Sequence, residues 1–277
     1  MKVHFLKTVW SDIIILEDNS RFALVDTGVK EQYSQLTEYL DKIGAGKIEF
    51  ILLTHFHRDH YGNICELIKN REVKKVYFKE YGGHDCTTAW GSEADDAYRQ
   101  SEKEKWQMMK ECIEKYSNLE MVEAIDKIMF SDTLLELYAR ENSVQTIWDD
   151  ESHPETYHKN VFSENQNSLS VFFEVNNKTV FLGGDMLDCP SSHPLANYST
   201  LQVAGKIGKQ IYLYKAPHHG TKATTCDEAL AIFKPVKAVI TNGVEWLEQY
   251  NTVECLKKAN PDVEIILTED KDVVFEL

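Results

Sequence analysis

The chain opens on short apolar runs separated by turn residues. Val3–Leu6, Ile13–Leu16 and Phe22–Val25 read as strands, and Asp18-Asn19-Ser20 between the last two is turn chemistry. From Lys30 to Ile43 the period changes. Tyr33, Leu36, Tyr39 and Leu40 form a helical stripe, closed by Gly44 and Gly46. Phe50-Ile51-Leu52-Leu53 is continuously apolar, as expected for a strand covered on both faces. A helix from Asn63 to Lys69 and a strand over Val73–Phe78 follow. From 80 to 160 the alternation fades. Charged helix formers run from Glu93 to Tyr116, and Leu134, Leu135, Leu137 and Tyr138 fit a short strand or helix. This stretch reads as a mostly helical insertion, with Trp90, Trp106, Trp148 and Met108-Met109 as its core. Strand character returns at Leu169–Val175 and Thr179–Leu182, joined by the hairpin turn Asn176-Asn177-Lys178. The rest alternates: strand Ile211–Tyr214, helix Asp227–Phe233, strand Ala238–Thr241, helix Trp246–Lys258, strands Val263–Leu267 and Val273–Phe275.

This order predicts an α/β protein of one domain, 1–277, carrying the insertion 80–160. At 277 residues the chain can bury a full core without staples. The formal net charge is −15, which argues against general nucleic-acid or anionic-membrane binding but leaves room for a local basic pocket. The six cysteines (65, 86, 112, 189, 226, 255) form no C-x-x-C pair and read as free thiols of a reducing compartment. No apolar run approaches the length of a membrane span, and Met1 to Trp10 carries no signal-type apolar core, so the expectation is a cytoplasmic protein. Oligomeric state is not legible.

The chemistry concentrates after the buried strand. His55, His57, Asp59 and His60 fall within six residues, where open α/β sheets place their sites. Alternate residues leaving a strand point the same way, so His55 and His57 can grip one metal, while the turn into the next helix aims Asp59 and His60 at a second. Imidazole and carboxylate suit zinc, with manganese or iron as alternatives. Asp185 follows a strand and is a natural bridging carboxylate. His218 or His219, also after a strand, can close the second metal.

The H-x-H-x-D-H motif at His55–His60, Gly184-Asp185 and His218-His219 resemble the metallo-β-lactamase superfamily, and Asp26-Thr27-Gly28 resembles its early D-T-G turn. The resemblance covers about 1–80 and 160–277. It implies a four-layer αβ/βα sandwich, with Asp26 supporting the metal loop from behind and His219 as the later ligand. One departure is informative. Ser163-Glu164-Asn165-Gln166-Asn167-Ser168 stands where the family usually has a third His. Asn-x-x-Ser with a later His-His-Gly resembles the ComEC hydrolase domain and the choline-phosphate esterases, which cleave phosphodiesters. Asn165 or Asn167 is then expected near the first metal. His153 and His158 are alternative ligands, His84 a candidate substrate contact, and His4 and His193 structural or exposed. Lys215 and Lys222 flank the second His pair, as solvated surface or as contacts to an anionic substrate.

The expected activity is hydrolysis of a phosphodiester by a hydroxide held between two divalent ions, with Asp59, Asp185 and His218 in catalysis. His218 would donate to the phosphate or protonate the leaving group. The alternatives are hydrolysis of a carboxylic ester, lactone, thioester or β-lactam, and a non-enzymatic metal-dependent binding module. Redox relatives typically carry Glu where His57 stands. The expected partner is a small-molecule or phosphodiester substrate.

Overall fold

The computed structural model describes residues 1–81, 93–122, 126–139, 146–147, 160–161, 164–186, 188, 199–221, 225–247 and 251–277. Fourteen strands make two seven-stranded mixed sheets. In chain order the first sheet takes β1 (Lys2–Phe5), β2 (Ile14–Asp18), β3 (Arg21–Val25), β4 (Phe50–Leu52), β5 (Lys75–Phe78) and β6 (Asn118–Met121). The second takes β7 (Lys127–Phe130), β8 (Thr133–Tyr138), β9 (Ser170–Val175), β10 (Lys178–Leu182), β11 (Leu213–Lys215), β12 (Lys237–Ile240) and β13 (Glu264–Leu267). The last strand, β14 (Val273–Glu276), returns to the first sheet and pairs with β1. The spatial orders are β14-β1-β2-β3-β4-β5-β6 and β13-β12-β11-β10-β9-β8-β7. In each sheet one half is antiparallel and the other, which carries the chemistry, is parallel.

Strand alternation builds the layers. Ile14 and Leu16 join Phe50, Leu52, Val171, Phe173, Val180 and Leu213 in the core between the sheets. Ile13 and Ile15 face the other way, onto helices α1 (Tyr33–Lys42), α3 (Ile64–Asn70) and α4 (Glu93–Tyr116). The outer face of the second sheet packs Phe181 and Tyr214 against helices α5 (Ser199–Ile207), α6 (Asp227–Phe233) and α8 (Thr252–Ala259). The result is the expected αβ/βα sandwich. The turns at Asn19-Ser20 and Asn176-Asn177 take positive φ at both central residues, as tight hairpins require.

The helical reading of 80–160 needs correcting. Among the described residues only α4 is a long helix there, with Trp106, Met109 and Ile113 buried at helical spacing. Its neighbours are strands of both sheets. Asn118–Met121 is a mostly exposed edge strand, so it carries no apolar pattern to read. In Thr133–Tyr138 the residues Thr133, Leu135 and Leu137 are buried, but the exposed Leu134 masks the alternation. The helix read over Trp246–Lys258 is two, α7 (Val244–Leu247) and α8. Trp90, Trp148, His84, His153, His158, His193, Lys222, Cys86 and Cys189 lie outside the described residues. Cys65, Cys112, Cys226 and Cys255 are free thiols. No helix among the described residues is long and apolar enough to cross a membrane.

Candidate metal centre

Strand ends from both sheets meet at one edge. β4 delivers the His55–His60 loop, which turns into the short helix α2 (Arg58–Tyr61). β10 ends at Gly183-Gly184-Asp185, and β11 runs into Pro217-His218-His219-Gly220. Gly184 has φ +54, and a Cβ there would meet Leu169 O at 2.7 Å and the Thr54 Cβ at 3.2 Å. Only glycine lets the Asp185 turn close this tightly on the motif loop. His218 and His219 also take positive φ, +46° and +55°. Such strain costs about 1–3 kcal/mol per residue and persists where surrounding structure over-determines it.

Asp185 Oδ2 lies 3.6 Å from His55 Nε2, 3.2 Å from His60 Nε2 and 3.6 Å from His219 Nε2. His55 Nε2 and His57 Nδ1 face each other at 3.0 Å. Two nitrogens on one tetrahedral zinc, with bonds of about 2.0–2.1 Å, stand about 3.3 Å apart. Asp59 Oδ2 is 3.2 Å from His219 Nε2 and 3.6 Å from His60 Nε2. The donors therefore fall into two groups that share Asp185: His55 with His57, and Asp59 with His60 and His219. His60 Nε2 and Asp185 Oδ1 are buried with no hydrogen-bond partner among the described residues, as expected of atoms reserved for an ion.

Each imidazole is oriented from behind. His55 Nδ1 meets Thr54 Oγ1 at 3.0 Å, and His60 Nδ1 meets Asp26 Oδ2 at 2.7 Å. Asp26 also accepts the Thr54 backbone N–H and hydroxyl, both at 2.8 Å, which fixes it below the loop. His219 Nδ1 meets Thr241 Oγ1 at 3.0 Å and Asp12 Oδ1 at 3.3 Å.

The electrostatics call for cations. Asp12, Asp26, Asp59 and Asp185 crowd the two groups. Burial alone would lower the His60 and His219 pKa values. The surrounding carboxylates, Asp185 first, instead push His60 well above its ordinary range and His219 up to about 9. Burial alone would raise Asp185 and Asp59, but His60 and His219 hold both below the carboxylate range. His55 goes down, through burial and then the charge of His60. Protons thus occupy sites that metal ions would take.

The remaining sequence candidates have definite places. Lys215 is not solvated surface: it is fully buried, ion-paired with Asp12, donates to Gly184 O at 3.1 Å and lies 4.0 Å from Asp185 Oδ1. It can act behind the ligands but cannot reach a substrate. Asn165 is half-buried, and its Nδ2 donates to His218 Nε2 at 3.2 Å. His218 Nδ1 then donates to Thr221 Oγ1 at 2.7 Å, which makes the ring a neutral Nδ1–H tautomer. Burial pushes the His218 pKa down to about 4, so it does not hold the proton that a leaving-group acid needs at neutral pH. The Asn167 side chain lies outside what is described. His4 is structural, buried between Tyr39 and Glu17.

Two supports were missed from the sequence. Glu164 is buried and accepts the Phe56 N–H at 3.3 Å. Asp12 stands 43 residues before the motif, and its one signal is a charged residue abutting the apolar run Ile13–Leu16. The loop between β1 and β2 brings it in. Thr8 N donates to Thr268 O, Trp10 N to Thr241 O and Asp12 N to Asp59 O, so the loop is stitched across the ends of both sheets. Trp10 packs edge-on to His219, with ring centres 6.1 Å apart.

Residues 11–138 match the sequence model of the metallo-beta-lactamase superfamily. No curated protein sequence matches the chain. Among solved structures, the metallo-beta-lactamase fold protein YhfI from Bacillus subtilis is 12% identical over 100% of both chains, with a TM-score of 0.57. Zn(2+)-bound PqqB from Methylobacterium extorquens is 10% identical over 100% of both chains, at 0.58. Tm1679, a metal-dependent hydrolase of the beta-lactamase superfamily, is 16% identical over 100% of this chain and 99% of its own, at 0.58. The fold is that of the metallo-β-lactamases, and the superfamily model supports that likeness over residues 11–138. None of them bears on the ComEC-like and choline-phosphate esterase likeness, which rests on residues 163–168 and 218–220.

Proposed function

We propose that the chain is a metal-dependent hydrolase that holds two divalent ions, zinc with manganese or iron as alternatives, and cleaves a phosphodiester. The observation that carries this reading is the convergence of donors from His55, His57, Asp59, His60 and His219 around Asp185, with His60 Nε2 and Asp185 Oδ1 left unpartnered in a buried setting. Bound divalent ions would supply Lewis acidity and bring a water to a pKa of about 7.

The protein's own part is placement. Asp185 Oδ2 faces both donor groups and would fix the spacing of the ions. Thr54 and Asp26 hold the imidazoles of His55 and His60 with Nε2 turned inward. At the edge, the Asn165 amide spends one N–H on His218 and has a second to offer to a substrate oxygen. His218, neutral at pH 7, frames the approach without adding charge. The preference for phosphorus over carbon rests on Asn165: an amide in place of a third His would leave an ion open to a phosphate oxygen.

Metal analysis with turnover of bis(p-nitrophenyl) phosphate against p-nitrophenyl acetate tests the reading. We expect zinc-dependent cleavage of the diester above the acetate. Acetate turnover alone would sink the phosphodiester preference, and turnover unaffected by chelation would sink the metal hydrolase.

A further inference from the structure

We infer that Asp12 is a positioning residue for His219, acting through the ring nitrogen that faces away from the ions, with Lys215 as its fixed counter-charge. The inference rests on the metal-centre reading above. Asp12 is fully buried and close enough to His60, Asp185 and His219 to be taken for a ligand itself. Its contacts point the other way. Oδ1 accepts the Thr241 hydroxyl at 2.7 Å and lies 3.3 Å from His219 Nδ1. Oδ2 is committed to the Lys215 ammonium. Asp59 and Asp185 face the opposite nitrogen of the same ring, Nε2, at 3.2 Å and 3.6 Å.

The direction of the hydrogen bonds follows. Thr241 donates to Asp12, so its oxygen can only accept from His219 Nδ1. The proton on Nδ1 is shared between Thr241 and Asp12, and Nε2 keeps its lone pair for the ion. An outer carboxylate of this kind fixes tautomer and ring orientation and raises ligand basicity. His60 has the same device in Asp26. His219 needs it more, because it stands on a strained two-residue turn and not on a helix. Lys215 explains why the arrangement tolerates another carboxylate: it neutralises Asp12 without occupying a place at the ions.

The test is zinc competition against a chromophoric chelator, following both binding steps in the full chain. Wild-type protein should bind two ions. Asp12→Asn should weaken one step by about 10–100-fold, the usual cost of an altered outer-shell partner, and leave the other unchanged. Asp12→Asn also strands Lys215 as an unpaired buried cation, so the deciding variant is Asp12→Asn with Lys215→Met. If Asp12 positions His219, the same step stays weak in the double variant. If Asp12 merely neutralises Lys215, the double variant returns to wild-type affinity, and the inference is overturned. Unchanged affinity in Asp12→Asn also overturns it. Wild-type protein that binds no second ion overturns the metal-centre reading instead, and the inference with it.

Discussion

The two halves of the site reach the same geometry by different means. In the N-terminal half, four donors stand on one loop after one strand, and the groups behind the His55 and His60 rings are near in sequence: Thr54 is adjacent, and Asp26 follows the neighbouring strand, while Glu164 and Asp12 hold the loop backbone from a distance. In the C-terminal half, Asp185 and His219 come from separate parallel strands, and their supports come from Asp12, Ser168, Lys215 and Thr241. The first half is set by local chain geometry. The second is assembled by the fold. Positive φ at non-glycine residues occurs on both sides, at Asp26 in the first half and at His218 and His219 in the second. The lesson is that one side of a shared centre can be compact in sequence while the other exists only after the sheets pack.

Asp185 joins the halves, so altering it should have the largest effect. Asp185→Asn should reduce turnover by more than about a thousandfold while far-ultraviolet circular dichroism stays native, because a neutral amide no longer offsets two dications. Wild-type turnover at matched metal content would show that the halves work separately.

Lys215 comes next. Lys215→Met leaves Asp12 buried without its counter-charge, which should cost about 3–5 kcal/mol of stability. Chemical denaturation reads it directly. A change within error would mean that solvent reaches the pair.

Legibility followed the same division. The motif, Asp185 and the His218-His219 pair could be read because each sits at a strand end whose strand was itself legible from short apolar runs, whereas Asp26 and the choice of His219 came from the family resemblance. Lys215 was left between solvated surface and a place near the site because a lysine after Leu213-Tyr214 looks like a strand terminus, and nothing local says that Asp12 waits behind it. Asp12 precedes its partner Thr241 by 229 residues, so no window of sequence contains both. In the fold, the strand Asn118–Met121 escaped and Thr133–Tyr138 was left between strand and helix for another reason: an exposed edge and an exposed leucine blur the period-two signal.

Asn165→Ala should reduce diester turnover by roughly tenfold, the worth of one hydrogen bond to a charged group, with metal content unchanged. Loss of metal in parallel would make Asn165 a support of the centre and not a substrate contact.

A further effect concerns pH. In metal-stripped protein His219 is raised to about 9 from an unfolded value near 6.5. Its contribution to stability is therefore complete below pH 6.5 and is lost as pH rises through 9. The melting temperature of stripped protein should fall between pH 7 and 9.5, and added zinc should cancel the fall, since the ion replaces the proton. A melting temperature that rises over that interval would place the proton elsewhere.

The most direct test of the shared centre is calorimetric titration of chelator-treated protein with zinc at neutral pH. The account predicts two ions per chain, with His57→Ala and His219→Ala each losing one. A single ion in wild-type protein, or the loss of both ions in either variant, would contradict two donor groups that share only Asp185.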